Sequence, residues 1–175
     1  MGPHCLHRER GFSLTELLIV VAIMLIIAAI AVPNLLRAKI AANESSAVES
    51  VRQISTAEMF YHSSYPQVGF APDLSSLGGP GGPCNPSPAT ACILDSAVSS
   101  GNKSGYLLFA AGFSFAGTTI NTQFVASSAP AIFNRTGVRN YCVATDDGVV
   151  RGQLGTPGGT PAPNVATCLG YPILN

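Results

Sequence analysis

A single carboxylate, Glu16, interrupts an otherwise apolar stretch near the start of the chain. Between Phe12 and Val32 no other residue is charged, and every residue from Leu17 to Val32 is apolar. A carboxylate inside lipid costs several kcal/mol, so Glu16 needs a partner. Cleavage after Gly11 would create an α-amino group on Phe12, mostly protonated at neutral pH. We therefore expect Glu16 to pair with this amine in its own chain or in a neighbouring copy.

Residues 1–11 have the features of a leader that is removed. They are short and polar, and Arg8 and Arg10 stand directly before the apolar stretch. A secretory signal has its small-residue cleavage site after the apolar segment, whereas Gly11 comes before it. Glycine also lies extended in a protease cleft without side-chain hindrance. A cut after Gly11 would remove the basic head and keep the apolar segment.

The other acidic candidates offer weaker chemistry. Glu58 and His62 are four residues apart on a predicted helix and could share a metal ion, but two ligands do not make a site. We expect a solvated helix end there. Asp146 and Asp147 could bind calcium, although aspartates in turns more often bond the local backbone. No nucleophile stands with a base, so we predict that the protein is not an enzyme. We also predict no metal site and no cofactor.

Basic residues do not point to nucleic acid. The chain has nine Lys and Arg against nine Asp and Glu, and only 10% of its residues are charged. Arg135, Arg139 and Arg151 could form a small basic patch on the sheet, but this balance gives no electrostatic footprint for a polyanion. We predict no specific nucleic-acid partner.

Four cysteines follow the leader, and they predict two disulfides. Cys84, Cys92, Cys142 and Cys168 contain no CxxC pair, so a zinc site is disfavoured, while cysteines outside the cytoplasm commonly form bridges. Three pairings are possible. We favour Cys84 with Cys92, closing a short loop, and Cys142 with Cys168, pinning the tail to the sheet.

Hydrophobic periodicity predicts the elements that position these residues. Residues 12–33 are long enough for a membrane-spanning helix, which needs about 20 apolar residues. Residues 34–62 continue as an amphipathic helix whose apolar stripe is Ile40, Ala47, Val51, Ile54, Ala57 and Tyr61. Its polar face includes Glu44, Glu49 and Arg52.

The remaining chain predicts one small domain of the α+β class. Residues 63–104 form a connecting loop, with one short helix near residues 93–99. An antiparallel sheet of about four strands occupies residues 105–154, with a hairpin turn at Gly148. One sheet face would pack on the amphipathic helix in a two-layer domain. The Gly- and Pro-rich tail, residues 155–175, is expected to be a loop.

The motif Gly11-Phe12-Ser13-Leu14-Thr15-Glu16-Leu17, with its apolar run and Pro33, resembles the N-terminus of type IV pilins and of the pseudopilins of type II secretion systems. The resemblance covers residues 10–36. It implies the pilin fold, cleavage after Gly11 by a prepilin peptidase, and N-methylation of Phe12. It also implies assembly of copies through Glu16 and the Phe12 amine, and a helix break at Pro33 in the filament.

The resemblance further implies partners and location. A pilin is a homo-oligomeric filament subunit that uses assembly machinery in the bacterial inner membrane. Before assembly its N-terminus would be cytoplasmic, and afterwards it would be part of an extracellular or periplasmic filament. Major pseudopilins carry an acidic, calcium-binding C-terminal region, and residues 148–175 contain no acidic residue. We therefore favour a pilus subunit, with a pseudopilin or a tip pilin that binds surfaces or DNA as alternatives.

Overall fold

The structure, a computed structural model, describes residues 12–79, 82–115 and 117–174. The chain forms two compact units, one ending at Arg37 and the other beginning at Ala38. Helix α1, Leu14–Ser64, contributes to both units. Its bounds agree within two residues with the helical span predicted from the sequence. Pro33 lies inside this helix. A proline there removes one backbone hydrogen bond and clashes with the preceding turn, but the helix continues through it.

The C-terminal half of α1 buries the predicted stripe. Ala47, Val51, Ile54, Ala57 and Tyr61 are all buried, because residues three and four apart share one face of a helix. Ile40 is half-buried, so the tight packing begins further along the helix.

The sheet has five antiparallel strands, one more than predicted. They are β1 (Asn102–Lys103), β2 (Tyr106–Phe113), β3 (Gln123–Pro130), β4 (Arg139–Ala144) and β5 (Arg151–Leu154), and each pairs with the next along the chain. The additional strand, β1, lies in the segment that we expected to be a loop. It folds back on β2 through Ser104 and Gly105, both with positive φ. Gly148, between β4 and β5, has φ 62°, as the hairpin prediction requires.

Both faces of the sheet are covered, so the two-layer prediction was incomplete. One face packs against α1 through side chains such as Tyr106, Phe124 and Val143. The alternate residues, including Val125 and Cys142, point to the other face, since the side-chain period of a strand is two. The tail covers that face, and residues Ala162, Val165, Cys168 and Tyr171 are buried there.

Of the three short helices in the connecting segment and the tail, the one at Ser96–Ser99 confirms the short helix predicted near residues 93–99, and the other two were not predicted. Helix α2, Leu74–Leu77, follows Asp73, and helix α3, Ser96–Ser99, follows Asp95. In the tail, α4 spans Val165–Leu169. Asp73, Asp95 and Asn164 each accept a bond from a backbone N–H of the first turn, which satisfies a donor that would otherwise lack a partner. The expectation of a structureless tail was therefore wrong.

Candidate functional site

The first turn of α1 contains the predicted chemistry. The Ser13 backbone N–H donates to Glu16 Oε2 at 2.9 Å. This is one arm of a capping box, in which a glutamate at the third helical position bonds the N–H of the capping residue. The Ser13 hydroxyl bonds the Thr15 hydroxyl at 2.8 Å and so does not complete the other arm. Glu16 is exposed, and its Oε1 makes no hydrogen bond within residues 12–79, 82–115 and 117–174.

An apolar surface follows Glu16 around the whole circumference of the helix. Every residue from Phe12 to Lys39 is exposed, and Phe12 itself is 83% exposed. Within the described part of the chain, α1 is the one helix long and apolar enough to cross a membrane. Apolar side chains on all sides are expected of a helix surrounded by lipid or by other helices.

The predicted N-terminal residues have different outcomes. Gly11 and the leader lie outside the described residues. Phe12 lies two residues before α1 begins and Glu16 lies in its first turn, so pairing of a Phe12 amine with Glu16 stays a prediction. Pro33 is helical in this single chain, so a helix break in an assembled filament stays a prediction.

The four cysteines form two disulfides in the second unit. Cys84 is bonded to Cys92, with Cα atoms 6.2 Å apart, and Cys142 is bonded to Cys168, with Cα atoms 5.8 Å apart. These are the two pairs favoured in the sequence analysis. The second bridge joins β4 to α4, so it holds the tail against the sheet.

Glu58 is not at a solvated helix end, and that expectation was wrong. Its side chain is fully buried, and Oε2 accepts a hydrogen bond from the Ala71 N–H at 2.8 Å. Oε1 is buried without a hydrogen-bond partner among the described residues. Burial raises the pKa of Glu58 to about 8, and the nearby charge of Asp73 adds to the rise, while the Ala71 bond opposes it. His62 is exposed and packs against Phe70 instead.

Glu44 also departs from its predicted role on the polar face. Its Oε1 accepts bonds from the backbone N–H groups of Val138 at 2.8 Å and Arg139 at 3.2 Å. Asn43 donates to the Thr136 carbonyl at 2.9 Å. These bonds attach the start of β4 to α1 by polar contacts, which an apolar pattern does not reveal.

The hairpin between β4 and β5 uses Asp147 as a local anchor. Its carboxylate accepts from the Val149 N–H at 3.1 Å and forms an ion pair with Arg151. The hydrogen bond from Arg151 lowers the pKa of Asp147. Arg151 also donates to the Tyr171 carbonyl at 3.0 Å, so it is committed to the tail and is not part of a basic patch. Arg135 and Arg139 remain exposed.

A helix whose first turn is capped by a glutamate, an exposed apolar segment and a disulfide-bonded α+β domain are together consistent with the α+β pilin fold. The model of the prokaryotic N-terminal methylation motif matches residues 6–32. At these residues the chain carries the N-terminal motif of prepilin-type proteins.

Among curated relatives, the chain is similar to the type IV major pilin protein PilA of Myxococcus xanthus (strain DK1622). The two are 38% identical over 73 residues, which is 38% of this chain and 33% of the relative. The chain thus matches about a third of that relative's length. No solved structure matches the chain.

Proposed function

We propose that this chain is the structural subunit of a type IV pilus filament that polymerises through its N-terminal helix. The observation that carries the proposal is the position of Glu16 in the first turn of a wholly exposed apolar helix segment. Among residues 12–79, 82–115 and 117–174 of the isolated chain, the one hydrogen-bond partner of this acid is a backbone N–H. A neighbouring copy can supply the missing cation.

Cleavage after Gly11 by a prepilin peptidase creates that cation. Hydrolysis of the Gly11–Phe12 peptide bond leaves a carboxylate on the leader and a protonated amine on Phe12, which is then N-methylated. Glu16 Oε2 keeps its bond to the Ser13 N–H, and Oε1 accepts from the amine of the next subunit. A charge-assisted hydrogen bond of this kind is stronger than a neutral one.

Apolar contacts alone do not select the arrangement of copies. When a helix leaves lipid to pack among other helices, its apolar side chains exchange one apolar surrounding for another, so the gain is small. The pair between Glu16 and the Phe12 amine is directional and costs much if left unmade inside an apolar core. It therefore sets the register between subunits during assembly at the inner membrane.

Two substitutions separate the charge of Glu16 from its capping role. Glu16→Gln keeps an oxygen that can accept from the Ser13 N–H but removes the charge, whereas Glu16→Ala removes both. We expect both variants to be cleaved and to lose sheared surface filaments. Filaments from Glu16→Gln at the wild-type yield would show that capping, not pairing, is the role of this residue. Filaments from both variants would overturn the assembly role.

The three candidate roles differ in how much of this chain is found in filaments sheared from the cell surface. A major pilus subunit dominates material sheared from the cell surface, a tip pilin is a trace component, and a pseudopilin stays in the periplasm. Electron microscopy of sheared material, with mass spectrometry of its main band, distinguishes them. The proposal expects this chain, beginning at Phe12, as the main band; its absence from sheared filaments would overturn the proposal.

A further inference from the structure

A groove lies beside an exposed aromatic side chain in the second unit. Phe60, on α1, is 61% exposed and stands between two hollows, one of about 480 Å³ and one of about 330 Å³. The larger hollow lies between α1 and the segment that leads into α3, where Leu94 and Asp95 line it. Met59, 48% exposed, borders the smaller one. We call this surface the Phe60 groove.

The rim of the Phe60 groove is acidic. Glu49 and Asp95 line the larger hollow together with a single cation, Arg52, so the net charge is −1. Neither acid forms an ion pair with any residue that the structure describes. An exposed aromatic side chain in a concave site with unpaired charges around it has the features of an interface core and its rim.

A second exposed surface, with two cations, lies around the start of β4. Arg139 and Leu154 are register partners on β4 and β5, so their side chains share one sheet face, and both are exposed. The turn before β4 adds Ile132, 52% exposed, and Arg135, also exposed. We call these four residues the arginine corner. Its two arginines give it a charge of +2, and the carboxylate of Glu44, which accepts from the Arg139 N–H, lowers the net charge at this place to +1.

The two surfaces are complementary in chemistry and differ in residues. The groove offers an aromatic side chain with two acids and one cation around it, and the arginine corner offers two aliphatic side chains and two cations. Neither arginine side chain has an ion-pair partner in residues 12–79, 82–115 or 117–174. Because two different patches meet, contact between copies is heterologous, and such contacts build open helical assemblies when the rotation does not close.

We propose that the Phe60 groove of one subunit receives the arginine corner of a second copy. The inference rests on the proposed function, because it concerns a filament of many copies. It names a contact between the second units of two copies, in addition to the contact between their N-terminal helices. Ile132 and Leu154 cover Phe60, while Arg135 and Arg139 face Glu49 and Asp95. Charge complementarity at the rim orients the two copies and disfavours the reverse approach.

Charge reversal at the arginine corner tests the pairing. Arg135→Glu with Arg139→Glu places acid against acid, and we expect sheared filament to fall by roughly tenfold or more. Adding Glu49→Lys restores an attractive contact and should recover much of the yield, since coupled sites are non-additive. Asp95 is left unchanged because it caps α3. The matched control, Arg135→Lys with Arg139→Lys, keeps the charges and should assemble like the wild type.

A photo-cross-linker identifies the neighbour directly and does not depend on the stability of those variants. A benzophenone amino acid in place of Phe60, irradiated in assembled filaments, should link to a peptide of a second copy that contains residues 132–139 or Leu154. A link to another segment, or wild-type yield from the double Glu variant, would overturn the inference. Failure of the wild type to form filaments would instead overturn the proposed function, so the two outcomes are distinguishable.

Discussion

Glu58 predicts a specific dependence of stability on pH. In the folded chain its pKa is raised to about 8, whereas the same side chain in the unfolded chain titrates near 4.5. Below pH 4.5 both states hold the proton, so the contribution of this group to stability is greatest there. As the pH rises toward 8, the unfolded state releases the proton and the folded state keeps it. The free energy of unfolding therefore falls over this range.

The size of the effect follows from the span of pH. Each unit between the two pKa values is worth about 1.36 kcal/mol, so stability falls by about 3 kcal/mol between pH 4 and pH 7. Glu58→Gln keeps an oxygen for the Ala71 N–H and cannot ionise. The stability of this variant relative to the wild type should therefore improve by about 3 kcal/mol over the same interval. Any fixed cost of burying the amide cancels in that comparison.

Urea unfolding of the full chain in a mild non-ionic detergent, followed by near-ultraviolet circular dichroism at pH 4 and pH 7, measures this difference. Glu49→Gln is the matched control, because Glu49 lies on the same helix and is exposed. We expect the control to follow the wild type at both pH values. A change of less than about 1 kcal/mol for Glu58→Gln would mean that Glu58 is already ionised in the folded chain, and the reasoning from burial would be refuted.

Two further predictions concern cleavage and the disulfides. Replacing Gly11 by a bulky residue such as Trp should leave the leader attached, and an intact mass that begins at Phe12 would contradict the proposed cut. Replacing Cys142 and Cys168 by Ser opens a loop with a sequence separation of 26, which should cost roughly 3 kcal/mol in urea unfolding. A midpoint equal to that of the wild type would show that packing alone holds the tail.

Much of the fold follows from local patterns. The period of α1 from Ala47 to Tyr61 identifies the buried stripe, and the strand-like segments that become β3 and β4 are identified by the turn residues that bound them. Gly148 supplies the turn between β4 and β5, because a positive φ is easy for glycine. In each case the deciding interaction lies within a few residues along the chain.

The elements that were missed depend on distant contacts. Helix α4 is five residues long and cannot be stable alone, so it forms because Val165 and Cys168 are buried against the sheet. The second covered face of the sheet depends on the same tail. Both are tertiary effects that override the Gly- and Pro-rich composition around them.

The burial of Glu58 was not predicted, for a different reason. It stands four residues after Ile54 and three before Tyr61, so its phase places it on the buried stripe. We expected the Glu58 side chain to be exposed, since glutamate is seldom fully buried. Helical phase was the correct signal, and a charged residue in phase with a buried stripe is a site to inspect. The N-terminal site is easier to predict from the sequence, because Glu16 and the apolar run are contiguous in the chain.

The bridge between Cys142 and Cys168 has a consequence for mechanical load. When a chain is pulled from its two ends, a covalent cross-link carries the force past the residues that it encloses. The sequence separation is 26, so at about 3.4 Å per extended residue roughly 90 Å of contour length is withheld from stretching. A domain under tension therefore yields first outside this loop, and β5 stays shielded until the bond is reduced.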